Sequence, residues 1–265
     1  MPTATIGDLE IDYTDTGGGL PVLLLHAFPL HAGMWEPQIS SLGDRYRLIA
    51  PDLKGFGGSS APEDPNEYTM ASYAEELAGF LDHLGLDSAV VVGLSMGGYI
   101  TFELLRRFPG RVQALVLADT RAEADPPEGV EKRTKQQGMV RADGTAGLID
   151  ALVGALTSEA TRAGKPDVAE RLKELMDNPA AGFIGALEAM KKRPDSSDDL
   201  AKIDIPTLVI VGEQDGVTPP EAARKLHEHI GGSRLVVIPE AGHLSSIESP
   251  DAFNGALAEF LSQLG

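Results

Sequence analysis

Residues 89–98, Ala-Val-Val-Val-Gly-Leu-Ser-Met-Gly-Gly, run from a short β-branched apolar segment straight into a serine set among glycines. A run of this length, apolar on both sides, reads as a buried parallel strand, and residues 99–107 read as helix. Ser95 stands at the junction. A serine held on so sharp a strand-to-helix turn needs side-chain-free neighbours at minus two and plus two, and Gly93 and Gly97 supply them. The same turn lifts the hydroxyl clear of a sheet and aims a helix N-terminus at developing negative charge. Ser95 is therefore a candidate nucleophile. With 30 glycines in the chain, Gly-x-Ser-x-Gly also arises by chance. The reading then depends on an acid and a histidine following in that order, each after a later strand, and on an oxyanion donor preceding it.

Outward from this turn, the chain alternates strand and helix. Residues 3–6 and 10–13, joined at Gly7-Asp8, read as an edge hairpin. The apolar run 21–25 reads as a central strand ending at His26-Ala27-Phe28-Pro29-Leu30. A strand at 47–50 leads to Asp52-Leu53-Lys54-Gly55-Phe56-Gly57-Gly58-Ser59. The glycines there read as a turn, because a proline-bearing loop follows where a dinucleotide cradle needs a helix. Residues 68–84 carry Tyr73, Leu77, Phe80, Leu81 and Leu84 at helical spacing, with Thr69 as cap. After the central turn, 112–118 is a strand ending at Asp119-Thr120-Arg121. Strands at 206–211 and 234–238 and helices at 220–230 and 250–264 complete the pattern. It predicts an α/β fold: a mostly parallel, eight-stranded sheet flanked by helices, with its site at the carboxyl ends of the strands.

Residues 122–198 break the alternation. They are polar, punctuated by Pro126, Pro127, Pro166, Pro179 and Pro194, and divide into about four helical pieces with no strand. The expected organisation is a core of 1–121 and 199–265, with a helical cap of 122–198 inserted after the sixth strand.

The composition excludes several classes. The chain has 265 residues, 42% of them hydrophobic, and its apolar runs are strand-sized, short of the ~18 residues of a membrane span. Without cysteine there is no disulfide, thiolate nucleophile or cysteine-ligated metal. A formal charge of −18 argues against nucleic acid or an anionic membrane as partner. The start, Met1-Pro2-Thr3-Ala4-Thr5, has neither the basic nor the apolar stretch of a secretion signal, which gives the expectation of a cytoplasmic protein. No metal-ligand spacing occurs, and no cofactor is called for.

The required partners are present. Asp215 follows the strand at 206–211 and His243 the strand at 234–238. In that arrangement neutral His243 takes the Ser95 proton while Asp215 fixes its tautomer and steadies the imidazolium. Asp119, also just past a strand, is the rival acid, and Glu213 a weaker one. Met96, after the serine, supplies one backbone oxyanion donor, and the loop after residues 21–25 the other, with Phe28 the choice. His26 is expected to hydrogen-bond its own loop, and His31 to sit at a pocket rim or in solvent.

With His26-Ala27-Phe28-Pro29, Asp52 to Ser59, Gly93-Leu94-Ser95-Met96-Gly97-Gly98, Gly212-Glu213-Gln214-Asp215 and Gly242-His243 in place, the chain resembles the α/β-hydrolase superfamily over nearly its full length. Within it the chain is similar to small bacterial carboxylesterases, 3-oxoadipate enol-lactonases and cofactor-free haloperoxidases or perhydrolases. Relatives usually carry glycine where Ala27 stands. The resemblance implies a serine hydrolase acting on a small ester or lactone and water through an acyl-enzyme. The alternatives are an enol-lactonase-like hydrolase, a perhydrolase or haloperoxidase, or a ligand receptor on the same fold. Leu30, His31, Trp35, Met139, Phe183, Met190 and Leu244 are the candidate pocket lining, beside Leu148 and Leu152. An anionic substrate would call on Arg121, Arg133 or Lys135, for which solvation is the plainer reading.

Overall fold

The computed structural model describes residues 2–264. Strand β5, Ala89–Leu94, is buried at every position and lies at the centre of an eight-stranded sheet. The others are β1 (Thr3–Ile6), β2 (Leu9–Thr16), β3 (Pro21–Leu25), β4 (Arg47–Pro51), β6 (Val112–Ala118), β7 (Thr207–Gly212) and β8 (Arg234–Ile238). Their order is β1-β2-β4-β3-β5-β6-β7-β8. Only β1/β2 and β2/β4 pair antiparallel. β2 is longer than the 10–13 expected of it because it serves two partners: residues up to Asp12 pair with β1, and Tyr13 to Thr16 with β4.

The strand order reverses at β3, which lies between β4 and β5. Crevices at such reversals, outside the carboxyl ends of strands, are where α/β sheets hold their sites. The register brings those ends together. Leu25 of β3 lies beside Gly93, Leu94 beside Ala118, Ala118 beside Ile210, and Gly212 beside Ile238. The loops at Ala27, Ser95, Asp119, Asp215 and His243 thus leave the sheet in one row.

Helices α1 (Glu36–Leu42), α2 (Met70–His83), α3 (Met96–Arg107), α9 (Pro220–His229), α10 (Ser245–Glu248) and α11 (Pro250–Leu261) belong to the sheet layers. α1 packs on α11 and α2 on α3. α2 begins in a reciprocal cap: Thr69 Oγ1 accepts from Ser72 N–H and Ser72 Oγ from Thr69 N–H, an arrangement worth about 1 kcal/mol. α3 starts at Met96, a turn earlier than the apolar pattern shows, because the chain enters the helix directly from Ser95.

Between β6 and β7 come five helices: α4 (Pro127–Asp143), α5 (Ala146–Leu156), α6 (Glu159–Gly164), α7 (Pro166–Leu175) and α8 (Ala180–Lys191). α8 meets the core through Phe183, which is fully buried with its ring edge-on to Phe28, centroids 5.5 Å apart. Asn178, just before α8, donates to Pro29 O and accepts from Gly57 N–H. One side chain so links the insertion to two loops of the core. Among the described residues no helix is long and apolar enough to cross a membrane.

Candidate active site

Ser95 adopts φ 54° and ψ −110°, a conformation that costs of order 1–3 kcal/mol in a non-glycine residue. The surroundings over-determine it. Ser95 N–H donates to Ala118 O, and Ser95 O accepts from Thr120 Oγ1 and Gly98 N–H. The glycines are required by contact: a Cβ on Gly97 would lie 2.4 Å from Leu25 O, and one on Gly93 2.6 Å from the Gly97 carbonyl. Strand, turn and helix therefore touch through backbone.

His243 Nε2 lies 2.8 Å from Ser95 Oγ, and its Nδ1 lies 2.9 Å from Asp215 Oδ2. Asp215 also accepts from Val217 N–H, Thr218 N–H and Thr218 Oγ1. A carboxylate surrounded by donors takes the Nδ1 proton as well, which leaves Nε2 as the lone-pair face toward Ser95. Burial works against the Asp215 charge, but His243 and the Thr218 bonds outweigh it and hold the acid below its usual range. Burial likewise opposes the imidazolium of His243. The Asp215 charge and hydrogen bond, with Glu248 behind them, prevail and raise its pKa above 6.5.

Asp119, the rival acid, lies elsewhere in the network. Its Oδ1 accepts from Gly212 N–H, and its Oδ2 lies 2.5 Å from Ser245 Oγ and 3.3 Å from Ser245 N. It joins the end of β7 to the segment after His243 without bonding the imidazole. Full burial and the neighbouring Asp215 charge push it up to about 8, so it is a neutral acid at pH 7. Like Ser95 it sits at positive φ, 45°.

The His243 loop is also pinned from the insertion. His243 N–H donates to Leu156 O. Glu248, 1% exposed, accepts from Gly242 N–H and Leu244 N–H on one oxygen and from Ser158 N–H, at the start of α6, on the other. On the opposite side, His26 Nε2 accepts from Leu53 N–H and Nδ1 faces Ala27 O. Burial drives its pKa down to about 3, so it is a neutral brace of its loop. Ala27 N–H points to Met34 Sδ. The amides of Phe28 and Met96 donate to no group of the protein among the described residues.

In front of Ser95 and His243 lies a cavity of about 400 Å³. Its wall holds Phe28, Tyr99, Leu152, Leu156, Met190 and Val217, and the polar residues Arg121, Asp125, Lys132, Arg133 and Gln136. The expected lining changes accordingly. Phe28, Leu152 and Met190 are in the wall; Leu30, His31, Trp35, Met139, Leu148, Phe183 and Leu244 are not. Trp35 is fully buried against Phe253, centroids 6.1 Å apart, and Leu30, Leu244 and Phe183 are buried in the core. His31 accepts from Gly33 N–H beside Asp52. Met139 is 44% exposed, on the outer side of α4. Arg121 and Arg133 face the cavity, whereas Lys135 is in solvent with Glu131.

Thr218, Glu248, Asn178, Tyr99 and Lys132 were not singled out from the sequence. Glu248 stands among Ser245, Ser246 and Ser249, so nothing in the local sequence marks it as buried.

A family model described as the alpha/beta hydrolase fold matches residues 21–250. A 3-oxoadipate enol-lactonase of Acinetobacter baylyi is 31% identical over 258 residues, covering 96% of this chain and 94% of its own. A protein named putative non-heme chloroperoxidase, from Synechocystis, is 33% identical, with 98% of this chain and all of its own covered. Among solved structures, a thermophilic esterase of Thermogutta terrifontis superposes with a TM-score of 0.93 at 40% identity, over 98% of this chain and 96% of that one. An elbow serine, the strand ends that carry its partners and a family match that takes in β3 to β8 all lead to one assignment: this chain belongs to the alpha/beta hydrolase family.

Proposed function

We propose that this chain is a serine hydrolase of small carboxylic esters, lactones among them, working through an acyl-enzyme. The observation that carries the reading is the continuous relay Ser95 Oγ, His243 Nε2, His243 Nδ1, Asp215 Oδ2, with links of 2.8 and 2.9 Å. His243 takes the Ser95 proton as the oxygen attacks the ester carbonyl, and the imidazolium is held by Asp215. The carbonyl oxygen becomes an oxyanion, and the free amides of Phe28 and Met96, the second at the start of α3, are its donors. Collapse expels the alkoxide, which takes the proton back from His243. Water, deprotonated by the same nitrogen, then attacks the acyl-enzyme and releases the acid and the serine.

The inserted helices act in this scheme as a cap whose α4, α5 and α8 supply one side of the cavity. A volume of about 400 Å³ suits a short acyl or alkoxy group, and apolar contact from Leu152, Leu156 and Met190 suits its chain. Hydrolysis of p-nitrophenyl butyrate by the wild type, with the Ser95→Ala variant folded and at least 10³-fold slower, is the expected result. Equal turnover by the two proteins would overturn the proposal.

A further inference from the structure

We propose that Asn178, in the insertion, is a positioning residue of the oxyanion hole: by holding the carbonyl of Pro29 it fixes the direction in which the Phe28 amide points. The inference rests on the hydrolase reading and adds a residue to its machinery.

Residues 27–30 form a four-residue turn closed by Leu30 N–H on Ala27 O at 2.8 Å, with Phe28 and Pro29 at its centre. Planar peptide units and a closing bond make such a turn move as a unit. A restraint on the Pro29 carbonyl therefore also restrains the Phe28 amide. The residues on either side of the turn are braced from the core. His26 Nε2 accepts from Leu53 N–H at 2.9 Å, and Asp52 Oδ1 accepts from Ala32 N–H at 2.8 Å. The turn itself is held from the insertion. Pro29 is buried, where a carbonyl needs a donor, and the donor that reaches its oxygen among the described residues is Asn178 Nδ2, at 2.9 Å.

Asn178 is itself fixed. It is buried, its Nδ2 donates a second time, to Leu175 O at 3.0 Å, and its Oδ1 accepts from Gly57 N–H at 2.7 Å. The reverse setting of the amide would place NH₂ against an N–H and the oxygen against two carbonyls, so the network itself assigns the donor toward Pro29 O. Close backbone packing holds the segment around it. A Cβ on Gly182 would lie 1.8 Å from Gly55 O, so α8 rests directly on the loop that carries Gly57. Phe183, one residue on, packs edge-on against the Phe28 ring. That apolar contact restrains the ring, and the Asn178 bond restrains the peptide. Oxyanion donors act only when aimed at the place where charge develops, and loss of one costs roughly 10²–10³ in kcat. A donor left in place but loosely aimed forfeits part of that factor.

Two variants test this. Asn178→Ala removes the amide, whereas Asn178→Asp keeps an oxygen for Gly57 N–H and loses the NH₂, so either one carries the reading where the other fails to fold. Each is expected to lower kcat on p-nitrophenyl butyrate at least tenfold, with KM within threefold of wild type. n-Butylboronic acid forms a tetrahedral adduct on Ser95 that sets an oxygen before the Phe28 and Met96 amides. It is expected to bind at least fivefold more weakly to both variants, while butyramide, a planar ground-state analogue, keeps its affinity within twofold. Hydrogen exchange read by mass spectrometry is free of turnover: residues 26–32 should exchange at least tenfold faster in the variants, and residues 88–98 at the wild-type rate. Faster exchange at 26–32, with no ester turned over by the wild type, leaves the brace standing and sinks the hydrolase reading. Wild-type kcat in the folded variants, unchanged exchange at 26–32, equal weakening of both inhibitors, or failure of both variants to fold overturns the positioning role alone.

Discussion

Replacing Asp119 and Asp215 in turn by asparagine separates two buried carboxyls that look alike in sequence. In Asp215→Asn the amide oxygen stays with the Val217 and Thr218 N–H groups, which leaves the NH₂ facing His243 Nδ1. It donates to that nitrogen, the proton moves to Nε2, and the lone pair facing Ser95 Oγ at 2.8 Å is lost. The expected fall in kcat at pH 7.5 is on the order of 10⁴. Asp119→Asn replaces an acid that is already neutral, since its pKa lies at about 8. Asparagine tolerates positive φ, its oxygen keeps the Gly212 N–H, and its NH₂ donates to Ser245 Oγ. Only the weak 3.3 Å bond from Ser245 N goes, at about 1 kcal/mol. Activity at pH 7 should stay within about tenfold. The pH dependence of stability should change more. Asp119 has a raised pKa in the fold, so between pH 4 and 8 the folded chain holds a proton that the unfolded chain has lost, and stability falls as pH rises through that window. A displacement from 3.8 to about 8, at about 1.4 kcal/mol per pH unit, makes this loss on the order of 5 kcal/mol. Asparagine removes it. Between pH 5 and 8.5 the wild-type melting temperature should drop more than that of Asp119→Asn, by on the order of 10 °C. Turnover of p-nitrophenyl butyrate and thermal melts over the same buffers provide both readings. An Asp119→Asn variant as inactive as Asp215→Asn, or with an unchanged slope of melting temperature against pH, would refute the division of roles.

Three further outcomes follow from the same geometry. His243 must be neutral to accept the Ser95 proton and its pKa is raised, so wild-type kcat/KM should rise with pH through an inflection above 6.5; an inflection below 6 would contradict the Asp215 pairing. Glu248→Gln puts an NH₂ among the donors of Gly242, Leu244 and Ser158; kcat is expected to fall more than tenfold in folded protein and the inflection to move to lower pH, whereas an unaltered pH profile would mark Glu248 as a structural brace only. Gly97→Ala sets a Cβ 2.4 Å from Leu25 O, a backbone atom, so it should abolish activity or soluble expression; a normally active variant would show that the turn is looser than described.

What was legible in the sequence was what short-range physics writes there. Apolar runs such as 89–92 and 21–25, stopped by glycine, proline and aspartate, located the strands, and the order of Ser95, Asp215 and His243 followed from the strand ends. Asp119 and Asp215 both follow strands, so the sequence leaves them as rivals; in the fold the choice is decided by a hydrogen bond to Nδ1. Cavity walls were harder. Trp35, Leu30 and Leu244 adjoin the motifs, but large apolar groups pack beneath a site as readily as they line it. α4 carries no apolar stripe, only Gln137 and Val140 being buried, so hydrophobic periodicity had nothing to locate. Met139 drew notice there as an apolar side chain, while the polar face of Lys132, Arg133 and Gln136 turned to the cavity.

The central claim is that Ser95 is a nucleophile activated by His243. Treatment with a fluorophosphonate, followed by intact mass and peptide mapping, tests it directly. The expected result is one adduct per chain, on Ser95, absent from Ser95→Ala and at least 10²-fold slower to form in His243→Ala. No adduct on the folded wild type, or labelling that persists in Ser95→Ala, would contradict it.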